Sequence, residues 1–176
     1  MIMVRAHILN YCRQQIRCLF QVVMTIVIVG AGLVWGNAAA IADDYTKDVL
    51  IRVDMSGKDL TDSQFNHTNL RESNLSNTNL HAVNLFAANL EFVNLSGADL
   101  SFATLESARI TDANLSNANL EGAYTSNAKF DRSNIEGADF TDVDMREDMR
   151  KDLCKVASGV NSKTGRATRE TLFCDY

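Results

Sequence analysis

Few side chains in this 176-residue chain have a type and spacing that could do chemistry. Ser126-x-x-Lys129 and Lys163-Thr164-Gly165 together spell two motifs of serine β-lactamases. That chemistry needs the serine at a helix N-terminus in a pocket, whereas the repeat described below puts both Ser126 and Lys129 on outward positions of a β-coil. The three histidines are His7, near the N-terminus, and His67 and His81, expected outward on different faces. They therefore make no metal or acid–base constellation. Carboxylates such as Glu72, Glu91 and Asp112 recur because their positions face solvent. The expectation is no catalytic residue, no metal ligand, no cofactor, no small-molecule substrate and no enzyme.

The elements that must position these groups follow a period of five. From Met55 to Met145 every fifth residue is apolar, Thr125 excepted. Two residues before each stands a small side chain, from Val53 to Val143, with Lys58 the exception. Between the two, Asn or Asp prevails, unbroken as Asn from Asn69 through Asn94. Gly57, Gly97, Gly122 and Gly137 all fall two residues after a central apolar residue. An α-helix advances about 100° per residue, so five residues would spiral the leucines round every face. A straight strand would send residues five apart to opposite sides. Small and apolar residues two apart share one face of a short strand, however, and a corner after each unit turns every pair into one interior. Asn and Gly supply such corners. Proline is absent from the chain, as expected where every amide is needed for coil-to-coil bonding. The period therefore predicts an all-β solenoid with coils about 4.8 Å apart.

Units such as Ala98-Asp99-Leu100-Ser101-Phe102 and Ala118-Asn119-Leu120-Glu121-Gly122 resemble the A-(D/N)-L-x-x consensus of the pentapeptide-repeat family. The resemblance implies a right-handed quadrilateral β-helix of nearly five coils over residues 54–145, with residues 20 apart stacked. Residues 43–53 would form an N-terminal cap, with Tyr45, Val49, Leu50 and Val53 covering the first coil. After the repeat, Asp144 and Glu147 are spaced as a capping box that opens a helix. Met145, Met149, Leu153 and Val156 would line its buried face, and Gly159 would stop it, leaving a C-terminal helix and tail over 146–176.

The first 42 residues read as an export signal. They hold Arg5, Arg13 and Arg17, no acidic residue, and an apolar run from Cys18 to Trp35. Ala40-Ile41-Ala42 then offers a cleavage site, with Ala40 and a retained anchor as alternatives. Those residues carry three of the 17 basic groups and none of the 22 acidic ones, so the mature net charge would be −8 rather than −5. An acidic chain argues against nucleic-acid binding through a basic patch. Cleavage would leave Cys154 and Cys174, expected to pair in an oxidising compartment; two free thiols or a metal pair are the alternatives. The ending, from Cys154-Lys155-Val156 through Leu172-Phe173-Cys174, is similar to the tails of thylakoid-lumenal pentapeptide-repeat proteins. The resemblance implies the thylakoid lumen, with the periplasm as the alternative.

The expected function is that of a non-enzymatic scaffold or interaction module, with an unidentified protein partner such as a photosynthetic membrane complex or its assembly intermediate. Two alternatives stand beside it. One is a redox-responsive protein switched through Cys154 and Cys174. The other is a DNA mimic that inhibits topoisomerases, since residues 54–145 hold 14 acidic and five basic groups. The commonest outward residue there is neutral Asn, and export would separate the chain from any topoisomerase. The candidate contact surface lies where the repeat misbehaves. Thr125 and Tyr124 break one side, with Phe86 outward on it and Phe102 at its entering corner. The next side carries Arg109 and Lys129 in place of Asn, plus Phe92. The competing reading is a packing adjustment in which Tyr124 covers the gap beside a small Thr125.

Overall fold

A computed structural model describes residues 43–174, so the expected export signal lies outside the described residues. Every fifth residue from Asp44 to Tyr124 bridges in parallel to the residue 20 positions later, ending at Asp144. Each 20-residue coil thus has four bridged positions and four two-residue corners. Pairing is one bridged residue per side, point by point rather than along extended strands. We number the sides by their bridging columns: side one runs Asp44, Gln64, Asn84, Thr104, Tyr124, Asp144 and side two Val49 to Lys129. Side three runs Asp54 to Asn134 and side four Asp59 to Asp139.

The phase expected from the sequence is the phase observed. Leu75, Leu95, Leu115 and Ile135 stack 20 residues apart and are buried, as are Ala98, Ala118 and Ala138 at the small positions. Inward hydroxyls donate to backbone carbonyls: Thr68 Oγ1 to Tyr45 O and Ser73 Oγ to Leu50 O of the preceding coil, both at 2.7 Å, and Thr78 Oγ1 to Leu75 O at 2.6 Å. An inward Ser or Thr therefore adds no unpaired polar group to the core.

Each corner turns on a residue in the left-handed region, from Lys47 to Asp142 with Asp62 excepted. Only four of these are glycine, and a non-glycine residue there is disfavoured by about 1 kcal/mol. Two contacts offset that cost. The corner amide donates to the next coil, as Asn77 N does to Ser96 O at 2.9 Å. The bridging side chain also accepts from the backbone two residues on, as Asn74 Oδ1 does from Ser76 N at 3.2 Å. On side three the same asparagines form a ladder, each Nδ2 donating to the Oδ1 of the coil before, from Asn134 through Asn114, Asn94 and Asn74 to Asp54. One amide thus closes its own corner and ties two coils together. This is why Asn prevails at this position.

Both ends depart from expectation. Tyr45, Leu50 and Val53 pack against the core at the first coil, but as further repeat units: Asp44 and Val49 already bridge to Gln64 and Asn69, and Tyr45 stacks on Phe65 with ring centroids 4.9 Å apart. Val49 sits at an outward bridging position, mostly exposed, and covers nothing. At the other end, helix α1 spans Glu147–Cys154, and its N-cap is Arg146, with no side-chain cap bond. The expected capping box does not form because Asp144 belongs to the last bridged unit and its carboxylate accepts from Ser126 Oγ at 3.2 Å. Leu153 is buried and Met149 half-buried, but Val156 lies beyond the helix and is 60% exposed. A second helix, α2, spans Thr168–Thr171, and Cys154 and Cys174 are bonded to each other. Among the described residues no helix is long and apolar enough to cross a membrane.

Candidate functional site

The geometry of the rod assigns each unusual side chain to a wall or a corner. Phe86 and Phe102 stand at the two corners that bound side one, and Tyr124 is in its bridging column. All three are exposed. Each phenylalanine has a histidine at its edge: His67 on Phe86 and His81 on Phe102, with near-perpendicular rings 5.4 and 5.6 Å apart. His81 Nδ1 also meets Ser101 Oγ at 2.8 Å. The two histidines are thus on opposite corners, as expected, and bring no acid–base pair together.

Phe102 is held over Gly122 of the next coil. A Cβ at Gly122 would come within 2.6 Å of the Phe102 ring, so the ring lies where a side chain there would otherwise project. Thr125 is buried, and its hydroxyl donates to Asp144 O at 2.6 Å, so the polar residue closes the last turn of side one. Tyr124 remains half exposed on the wall.

Side two carries the charged part of the candidate surface. Arg109 and Lys129 are stacked bridging partners. Arg109 Nη1 reaches Glu91 Oε1 at 3.1 Å, and Arg71 lies over the Phe92 ring, 5.2 Å from its centroid. Phe92 stands at the far corner of side two, so the six candidate residues are spread over two adjoining walls rather than gathered in one cluster. Ser126 and Lys129 are outward as expected, and Lys163 Nζ is occupied at Gly97 O, 2.5 Å away. No β-lactamase arrangement results. Among the described residues no group of three or more His, Cys, Asp or Glu is placed to hold a metal.

A feature absent from the sequence reading is the path of the tail. Residues 158–166 run along the corner between sides three and four. Gly137 N donates to Ser158 O at 2.8 Å, Ser162 N to Asn117 Oδ1 at 3.0 Å, and Asn161 Nδ2 to Ala118 O at 3.1 Å. Gly159 and Gly137 meet backbone to backbone: a Cβ on Gly159 would lie 2.9 Å from Gly137 N, and Gly159 has φ +80°. Gly159 therefore does not stop α1, whose last residue is Cys154 with Lys155 as its C-cap; it lets the tail touch the coil. Gly159→Val should weaken tail docking by about 1.4 kcal/mol, a tenfold effect. Limited trypsin digestion would then cut after Lys163 or Arg166 about ten times faster, the two pieces separating only on a reducing gel.

Arg166 fastens the end of that path. Its guanidinium bonds Asp139 Oδ2 through Nε at 2.6 Å and also pairs with Glu121 of the coil before. Asp139 is fully buried. Burial alone would raise its carboxyl. The Thr141 and Thr164 hydroxyls, the Thr141 amide and Arg166 outweigh that and hold it below the usual aspartate value near 3.8.

A solenoid of five-residue units, four to a coil, is a protein built from walls rather than around a cleft. The pentapeptide repeat region signature matches residues 58–140. A solved pentapeptide-repeat protein of the Arabidopsis thaliana thylakoid lumen is 44% identical, over 76% of this chain and 86% of that one, with TM-score 0.54. This chain belongs to the pentapeptide-repeat family. The pentapeptide-repeat protein Rfr23 of the cyanobacterium Cyanothece 51142 is 25% identical over 67% of this chain and 84% of that one, with TM-score 0.46. Thylakoid lumenal 15 kDa protein 1 of the Arabidopsis thaliana chloroplast is 67% identical over 43 residues, 24% of this chain. The match spans only 19% of that relative's length. Both Arabidopsis proteins are thylakoid-lumen proteins, the compartment expected from the cysteine-bearing tail.

Proposed function

We propose that the protein is an exported, non-enzymatic scaffold of the thylakoid lumen. In this reading a right-handed quadrilateral rod presents sides one and two to a partner protein, and a disulfide-pinned tail closes its C-terminal end. The observation that carries it is the wall itself: Phe86, Phe92, Phe102 and Tyr124 are exposed on two adjoining sides, while the central apolar residues from Met55 to Phe140 are buried. Exposed aromatics of this kind are what interfaces use as anchors. The lumenal relatives support the compartment, and the acid-free, apolar first 42 residues would supply the route. A photosynthetic membrane complex, or an intermediate of its assembly, is the partner class we propose.

The triple variant Phe86→Ser, Phe92→Ser, Phe102→Ser tests this reading. Affinity capture from lysed thylakoids with the wild type should bring down a defined membrane complex, and the variant should lose at least nine-tenths of it without a change in melting temperature. Equal capture by both proteins would sink the proposal. A second reading, redox regulation, draws on the Cys154–Cys174 bond, which links the end of α1 to the end of the tail. It requires reduction to release the tail, which trypsin sensitivity with and without reductant would reveal.

A further inference from the structure

The last coil leaves the rim of side two open. Along the solenoid each central amide donates to the carbonyl 19 residues later, as Leu90 N does to Arg109 O at 2.7 Å and Ile110 N to Lys129 O at 2.8 Å. Each bridging amide donates back to the coil before, as Lys129 N does to Ala108 O at 3.0 Å. Side one runs one unit further, to Asp144. On side four the end of the chain stands in for the missing coil: Gly137 N meets Ser158 O at 2.8 Å, and Phe140 N meets Thr171 Oγ1 at 3.1 Å. On side two nothing does: among the described residues the amides of Phe130 and Arg132 and the carbonyl of Ala128 have no partner, and on side three the amide of Ile135 and the carbonyl of Ser133 have none either. A row of unpaired strand groups is a template for another strand.

That rim borders a groove of about 770 Å³ between residues 127–133 and α1. Phe130, Met149, Leu153 and Val156 supply its apolar lining. We infer that the groove takes an extended segment of a partner protein, added in parallel as the next strand of side two. The charge of the column specifies its chemistry. Arg109 and Lys129 are stacked, and Arg109 is answered by Glu91, but Lys129 has no carboxylate partner among the described residues. The bridging residue of an added strand stacks on Lys129, so an acidic residue fits there. Its amide donates to Ala128 O, its carbonyl accepts from Phe130 N, and an apolar residue following it faces Phe130, Met149 and Leu153. The partner segment thus reads small, acidic, apolar. A second copy of this chain fits less well, because its own first coil would bring Val49 over Lys129. This mode is strand addition to an exposed edge, with main-chain bonds giving affinity and alternate side chains giving specificity.

The inference rests on the reading of the protein as an interaction module; it shares Lys129 with the candidate surface but uses none of Phe86, Phe92 and Phe102, so the triple variant and the peptide titration fail separately. The probe is a fluorescein-labelled acetyl-Ser-Ala-Asp-Leu-Ser-Thr-amide peptide, titrated against the protein and followed by anisotropy. Saturable binding is expected, with at least a tenfold loss on Lys129→Glu and on N-methylation of the peptide's aspartate amide. Hydrogen exchange at Phe130 and Arg132 should slow at least tenfold in the complex, and exchange at Phe65 should not change. No binding, or binding indifferent to both changes, overturns the proposal. Self-association of the protein that excludes the peptide overturns it in favour of a second copy. Retained capture through the aromatic wall with no peptide binding would overturn the groove alone.

Discussion

Leu95→Ala should lower the stability of the rod by about 3–4 kcal/mol and its melting temperature by more than 10 °C. Leu95 is fully buried in the middle of the side-three column, with Leu75 and Leu115 stacked against it from the coils on either side. A solenoid has no other layer that can collapse into the space, because Asn94 on the same unit is fixed by its ladder bonds to Asn74 and Asn114. The loss is therefore that of a buried leucine plus the cavity it leaves. Since each coil touches only its neighbours, damage at the centre also separates the two halves of the rod. Asn94→Ala, removing two ladder bonds at a partly exposed site, should cost only about 1 kcal/mol. Thermal unfolding followed by circular dichroism checks both, and equal effects would mean that the amide ladder rather than the leucine column holds the coils.

Arg166→Ala should release the tail. The substitution leaves Asp139 buried without its cation and removes the tie to Glu121. Breaking a buried pair commonly costs about 3–5 kcal/mol. Arg166 is itself partly exposed, so screening by solvent reduces the expected loss to about 2 kcal/mol. The same contact sets an acid limit. The Asp139 carboxyl is held below its ordinary value in the folded protein, so its contribution is fully present above about pH 4 and is lost as pH falls through the lower folded value. Asp139→Asn should remove that acid-sensitive component while leaving the Thr141 bonds largely in place. Tail protection measured by hydrogen exchange at Asn161 and Gly165 between pH 3 and pH 7 would report both effects. A pH profile unchanged by Asp139→Asn would assign the acid transition elsewhere.

How much of this was legible in the sequence depends on whether an interaction is local to a five-residue unit. The inward phase, the corners and the Asn column are local, so the burial of the central residues from Leu60 to Phe140 follows from the spacing alone. Tyr45 and Leu50 cover the first coil as repeat units rather than as a separate cap: Asp43 and Asp48 stand in those units where small residues are usual, yet the apolar phase continues through them. The capping box failed for a tertiary reason: Asp144 was needed by Ser126 and by the last bridge. The contacts of the tail with the coils join residues 21 to 66 apart, as Ser158 to Gly137 and Lys163 to Gly97. No spacing rule encodes them. Gly97 and Gly137, 40 apart at the same corner, were the one trace of the tail's path. The candidate surface was legible as exposed aromatics, but its histidine edges and the Phe102–Gly122 contact arise from stacking between coils.

Side-resolved photocrosslinking in isolated thylakoids tests the central claim, that the protein acts by presenting sides one and two to a partner. A benzophenone side chain is introduced at Phe86, Phe92 or Tyr124, and at Ser56 on the far side of the rod as the control. The account predicts a discrete crosslinked product, the same partner from all three wall positions, and none from Ser56. Equal products from Ser56, or no side-dependent product at all, would contradict it.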